Sequence, residues 1–151
     1  MDVVENTLEV PLTEFLERPL FCFLGQTGAG GPRVSPLWFR WEDGAVWIIA
    51  LEGRSYLDRV RKRPRSALAV VDFDPATGRV EHVGMRGRAT VEPWDPDRAR
   101  RLLTEYLGPD REAWDPRFRF DGGEGRQLIR FDPDTVVARD QSYAPSPSDA
   151  P

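Results

Sequence analysis

The chain has one cysteine, Cys22, one histidine, His82, and one lysine, Lys62, in 151 residues. A lone cysteine excludes an internal disulfide. Cys22 falls in the apolar run Leu20-Phe21-Cys22-Phe23-Leu24, where a buried, inert thiol is expected, because reactive thiolates need exposed electropositive sites. A lone histidine gives no material for a Ser-His-Asp triad or a multi-histidine metal centre, so hydrolase chemistry and a metal site are not expected. His82 lies in an expected strand and is assigned a structural or surface role. The first ten residues, Met1 to Val10, are acidic and carry no apolar run. Neither a secretory signal nor a membrane-spanning helix is expected there, and the expected location is cytoplasmic. The chain also lacks an excess of positive charge: its net charge is -4, whereas a general nucleic-acid binder carries a basic face.

Hydrophobic residues make up 40% and charged residues 30% of the chain, the balance of a solvated surface around a core rather than of a disordered tract. The length suits one domain, expected over residues 1–143, with a flexible tail rich in Pro and Ser over 144–151.

The pattern along the chain predicts a mainly β protein with a few helices. Thr13 to Arg18 reads as a short helix capped by Thr13 and stopped by Pro19. Leu20 to Gln26 reads as a buried strand, followed by a glycine-rich turn. Arg33 to Trp41 follows as a strand whose Val34, Pro36, Trp38 and Arg40 share one face. Glu42-Asp43-Gly44 is a hairpin signal leading into a strand from Ala45 to Leu51. Arg54 to Arg63 has helical spacing, with Leu57 and Val60 on the apolar side, and ends at Pro64. Strands are expected over Ser66 to Phe73 and Val80 to Val91, then a helix from Pro96 closed by Gly108-Pro109. The segment from Asp110 to Arg126 has no assignable periodicity. The last strand, Gln127 to Ala138, is interrupted at Asp132-Pro133-Asp134, as at a bend or bulge. Six strands in this order predict an antiparallel barrel.

A strand feeds a basic helix between Val46 and Pro64, where the first-turn amides, Arg54 and the Ser55 hydroxyl form a possible phosphate cradle. The same residues also suit a merely solvated helix face. The order of these elements, with Arg61-Lys62-Arg63-Pro64-Arg65 closing the helix and Gly84-Met85-Arg86-Gly87-Arg88-Ala89 in the next strands, resembles the pyridoxamine 5'-phosphate oxidase-like family, including its deazaflavin-dependent branch. The resemblance covers about Phe15 to Arg139 and rests on order and spacing more than on any one motif. It implies a six-stranded antiparallel split β-barrel of the FMN-binding type, working as a homodimer with a cofactor at the subunit interface.

In that family the segment before the proline supplies the flavin phosphate site through a Thr, a Ser or Arg, and a Lys eight positions before the proline. Those positions fall here on Ala50, flanked by Ile49 and Leu51, on Arg54 with Ser55, and on Tyr56. Ala50 and Tyr56 depart from the pattern. Without the lysine, either Arg54, Ser55 and Arg59 compensate, or the cofactor is bound weakly, or none is bound. The strand Arg33-Val34-Ser35-Pro36-Leu37-Trp38 matches the one that runs beside the isoalloxazine ring, offering backbone amides to the ring and Trp38 or Leu37 against its face. Trp114, Phe118 and Phe120 are candidates for covering the site of a second subunit, or for simple packing of their long loop on the barrel. Arg139 and Gln141 are candidates for reaching the cofactor or substrate, or for structural pairing.

The resemblance therefore implies an oxidoreductase carrying hydride on FMN, or on the deazaflavin coenzyme F-420, toward a small-molecule redox substrate. No residue stands out as a general acid or base. The preponderance of arginine over lysine suits a GC-rich genome and leaves the deazaflavin open. The alternatives are a non-catalytic flavin- or haem-binding module and a vestigial split-barrel dimer without cofactor.

Overall fold

The computed structural model describes residues 1–120 and 122–147. In chain order the described elements are β1 (Asp2–Asn6), α1 (Leu12–Leu16), β2 (Phe21–Gly28), β3 (Gly31–Trp38), β4 (Arg40–Glu42), β5 (Ala45–Leu51), α2 (Ser55–Lys62), β6 (Arg65–Asp74), β7 (Arg79–Glu92), α3 (Pro96–Leu107) and β8 (Arg126–Asp140). The strands form one sheet in the order β3-β2-β6-β7-β8-β5-β4, with β1 added to β8. Every pairing is antiparallel except β1 with β8.

The two ends of this order, β3 and β4, are consecutive in the chain with only Phe39 between them. The sheet must therefore curl until its ends approach, enclosing Phe15, Leu24, Phe39, Ile48, Leu68 and Phe131, all buried. This is the expected mainly β, antiparallel split barrel. It has eight strands rather than six. The strand expected from Arg33 to Trp41 breaks at Phe39, so Arg40 begins β4 instead of continuing the face of Val34, Pro36 and Trp38. The other addition, β1, comes from the acidic N-terminal segment.

Asp43 and Gly44 have φ of 56° and 71°, the left-handed geometry of a tight turn between twisted strands, and so join β4 to β5. Opposite the interruption in β8, Arg86 pairs with Thr135 and Gly87 with Pro133, leaving Asp134 as a bulge. A Cβ at position 87 would lie 2.0 Å from the Asp132 carbonyl oxygen, so the close approach of β7 to this bulge requires glycine.

The short first helix starts at Leu12 after Pro11, with no side-chain cap. Thr13 is thus inside the helix and not its cap. Residues 110–118 hold two 3-10 turns, Arg111–Ala113 and Pro116–Phe118. They are opened by Asp110 and Asp115, whose carboxylates accept the N–H of Glu112 and Arg117, each at 3.1 Å. Of the expected tail, residues 148–151 lie outside the described residues, while the Tyr143 N–H donates to the Gly78 carbonyl at 2.9 Å. Among the described residues no helix is long and apolar enough to cross a membrane.

Candidate functional site

Helix α3 is fastened to the β4–β5 hairpin by charge. Its N-cap Asp95 accepts from the N–H groups of Asp97 and Arg98, both at 3.1 Å. Glu42 receives Arg40 at 2.5 Å, Arg98 at 3.0 Å and Arg101 at 2.6 and 2.9 Å. The Arg98 guanidinium also lies 3.6 Å from the centre of the Trp47 ring, a cation–π contact. These arginines hold the Glu42 carboxyl well below the ordinary carboxylate range, with Arg101 the largest influence. The inner face of α3 then presents Leu102 and Leu103 toward the sheet.

Where α3, the 3-10 segment, the end of β5 and the start of α2 converge, the structure forms a cleft of about 650 Å³. Its floor and walls include Phe21, Pro36, Leu37, Trp38, Ile49 and Leu51. Trp38 stacks on Tyr106 at 4.5 Å with 3° between the ring planes, and on Phe118 at 5.5 Å, so its plane is fixed by an aromatic pile. Arg54, Ser55, Tyr56, Arg117, Phe118, Phe120 and Arg126 also belong to the lining. The charged groups of this lining are all arginines. A low-dielectric cleft with unbalanced positive charge favours an anionic ligand.

The start of α2 strengthens that character. Unlike α3, which Asp95 caps, α2 begins after Arg54 with no side-chain cap on its first turn. Its leading N–H groups point to the end of the helix where an anion is stabilised. Glu52, just before this end, is ion-paired with Arg61 at 2.5 Å and accepts from Gln127.

Eight of the thirteen residues singled out from the sequence meet in this cleft: Pro36, Leu37, Trp38, Ile49, Leu51, Arg54, Ser55 and Tyr56. The other five lie outside its lining. Ala50 is buried in the core, and Arg59 donates its Nε to Gln26 at 3.1 Å. Arg33 and Val34 flank a separate surface depression with Arg65 and Arg86. Ser35 sits on the same strand, β3, which pairs with β2 on one side only among the described residues, leaving backbone groups of its other edge available.

Phe118 and Phe120 line this chain's own cleft, and Trp114 is buried behind α3, its indole N–H donating to the Gly108 carbonyl at 2.9 Å. Arg139 pairs with Glu5 of β1 at 2.9 Å, and Gln141 hydrogen-bonds His82 at 3.1 Å; neither Arg139 nor Gln141 lines the cleft. Cys22 is buried, and burial pushes its thiol up to about 12. Two participants were not legible in the sequence: Arg126, one of many arginines, and Tyr106, whose helical spacing marked it only as core.

The fold and the cleft define a split-barrel protein with an aromatic, arginine-lined cleft. The family profile of pyridoxamine 5'-phosphate oxidase matches residues 10–140, and the chain belongs to that flavin-binding family. Among solved structures, the chain is similar to a conserved hypothetical protein of Mycobacterium tuberculosis (18% identity, 99% of each chain covered, TM-score 0.72). It is similar to an F-420 reductase (24% identity, 86% of this chain and 98% of that one, TM-score 0.63). A FAD-binding protein of Mesorhizobium loti is also similar (18% identity, 85% and 89%, TM-score 0.61). No curated protein sequence matches the chain.

Proposed function

We propose that the protein is an oxidoreductase that binds FMN or the deazaflavin F-420 in the cleft between β3, the β5–α2 junction and α3. The observation that carries this reading is the convergence, in one cleft, of the uncapped start of α2 with Arg54 and Ser55 and of the aromatic pile on Trp38. The first suits a phosphate and the second a flat ring system. The residues fit such a group: the cleft has the volume of a cofactor site, and it carries positive charge at the end where a phosphate would lie.

A bound flavin or deazaflavin would supply the hydride chemistry. The chain's own residues position and bury it. Arg54, Ser55 and the first-turn amides of α2 hold the phosphate; Leu37 and Trp38 pack beside the ring; the free edge of β3 offers amides to its polar atoms; Phe118 and Phe120 keep water from the cleft. No side chain of the cleft is assigned a proton-transfer role.

The reading extends to a homodimer. The outer face of β2, β3, β6, β7 and β8 is lined by Phe23, Val34, Ala67, Ala69, Gly84 and Val137. Phe23 is 38% and Val34 67% exposed, a run of apolar surface unusual for a free monomer. Pro36, opposite Phe23 in the β2–β3 register, belongs to the cleft lining, so the apolar face reaches the cleft, and a second copy on that face would adjoin the cofactor.

A second reading, a binding module without turnover, is favoured by Tyr56 at the position where the family carries a lysine. Absorbance and fluorescence titrations with FMN and with F-420, followed by turnover assays with a reduced nicotinamide or a reduced deazaflavin donor, separate the readings. Saturable binding with hydride transfer supports the oxidoreductase. Stoichiometric binding without turnover replaces it with the binding module, and no binding of either cofactor removes the oxidoreductase in favour of another ligand or a vestigial dimer.

A further inference from the structure

We infer that Arg126 is the cation that replaces the missing lysine, so that the phosphate of the bound cofactor is held by Arg54 and Arg126 together. The inference rests on the proposed cofactor site and assigns to it a residue from a distant part of the chain.

Position is the first argument. Arg126 opens β8 and is the cross-strand partner of Leu51, the last residue of β5. The backbone ties the two segments further, since the Glu52 N–H donates to the Gly125 carbonyl at 2.9 Å. Arg54 begins three residues after Leu51, and its own N–H donates to the Leu51 carbonyl at 3.2 Å. Both arginines are thereby anchored to one point, the end of β5, and both line the same cleft together with Tyr56.

The second argument is the state of the side chain. Most arginines of this surface are ion-paired, as Arg40, Arg61, Arg98 and Arg101 illustrate. Arg126 has no carboxylate partner among the described residues. One of its terminal nitrogens, Nη1, donates to the Gly122 carbonyl at 3.0 Å, and the guanidinium lies 4.0 Å from the centre of the Phe120 ring. Its Nε is buried with no acceptor among the described residues. A charged donor left without an acceptor is costly, so no described residue already neutralises this guanidinium. A guanidinium packed on an aromatic ring, with terminal donors left over, is suited to a phosphate oxygen pair.

The third argument is elimination among the other cations. Arg59, the sequence-based candidate for compensation, is spent on Gln26 and lies outside the cleft lining. Arg117 lines the cleft but is 75% exposed and stands 3.7 Å from the Asp115 carboxylate. Tyr56 brings a neutral phenol where a lysine would bring charge. Arg126 restores that charge from β8, with the bidentate geometry a lysine lacks.

The test compares FMN with riboflavin, which lacks the phosphate, by fluorescence titration of the wild type, Arg126→Gln and Arg126→Lys. Circular dichroism melts verify that each variant is folded. The expected result is a loss of about tenfold or more in FMN affinity for Arg126→Gln with riboflavin affinity unchanged, and retention of most of the FMN preference in Arg126→Lys. Adding Tyr56→Lys to Arg126→Gln is expected to recover FMN affinity, and no recovery would overturn the exchange of the two positions. If Arg126→Gln weakens FMN and riboflavin equally, Arg126 serves only as cleft wall and the inference falls. If the wild type prefers FMN and Arg126→Gln keeps that preference, this inference alone falls. If the wild type binds FMN no more tightly than riboflavin, the phosphate site itself is absent and this inference falls, whereas the proposed function falls only if F-420 also fails to bind.

Discussion

The hydroxyl of Tyr106 accepts the backbone N–H of Phe39 at 3.0 Å. The same oxygen lies 2.7 Å from the Leu20 carbonyl and 3.0 Å from the Phe39 carbonyl, either of which can accept its proton. Phe39 is the residue at which β3 ends and β4 begins, where neither ladder satisfies its backbone. One phenol from α3 therefore completes the hydrogen bonding at the seam of the barrel. Burial pushes this phenol well above its ordinary pKa, so it remains a donor in alkaline solution.

Tyr106→Phe keeps the ring that stacks on Trp38 and removes only the oxygen. It leaves buried backbone groups of Phe39 and Leu20 without a partner, and is expected to cost about 1–3 kcal/mol, measured by urea unfolding. A cost below about 0.5 kcal/mol would mean that water replaces the hydroxyl at the seam.

Glu42→Gln is expected to destabilise the fold by about 1.5–3 kcal/mol at neutral pH, because three arginines lose a charged acceptor at a side chain only 15% exposed. The pH dependence has a definite sign. The folded pKa of Glu42 is lowered from 4.5, so its contribution is complete above that unfolded value and is lost as pH falls from there toward the folded value. Unfolding at pH 7 and pH 3 is expected to show the wild-type advantage over Glu42→Gln shrinking at the lower pH; a constant gap would refute the linkage.

Arg54→Ala is expected to weaken FMN binding by about 1.5–3 kcal/mol, the worth of a charge-assisted contact. Calorimetric titration reads the dissociation constant directly. An unchanged constant would move the phosphate away from the start of α2.

Phe118→Ala removes the ring stacked on Trp38 at 5.5 Å and leaves Arg54, Ser55 and the start of α2 in place. Flavin affinity is expected to fall about threefold to tenfold for FMN and riboflavin alike. A selective loss for FMN would show that the pile acts through the phosphate and not the ring.

Val34→Glu and Ala69→Glu place charge in the middle of the apolar outer face. Sedimentation is expected to change from twice the chain mass in the wild type to the single-chain mass in the variants. A wild type that sediments at the single-chain mass would remove the homodimer.

Much of the barrel was legible because its signals are local. The strand from Ala45 to Leu51 and the helix from Pro96 to Leu107 coincide with their expected bounds, since a turn with two positive-φ residues precedes the one, and a proline start and glycine stop frame the other. β1 was not legible: its mostly exposed, acidic sequence has no strand pattern of its own and is ordered by parallel pairing with β8. The break at Phe39 was hidden because the strand-like sequence continues through it, and its cause, Tyr106, lies 67 residues away. Within the site, Arg54 and Ser55 could be picked out as the start of a basic helix, and their β5–α2 neighbours through the family resemblance. Arg126 could not, because which arginines keep unpaired donors depends on their tertiary neighbours.

The place of β8 in the sheet bears on how the protein is made. Among the described residues it is the last strand to be synthesised and the only hydrogen-bonded neighbour of both β5 and β1 beyond the β4–β5 hairpin, and it also carries one side of β7. Until it leaves the ribosome, the β3-β2-β6-β7 half and the β5-β4 half have no strand to join them, and β7 and β5 remain open edges. The barrel therefore assembles after translation has passed residue 140, through pairings that span the chain, and a nascent chain stalled short of that point holds two unjoined half-sheets.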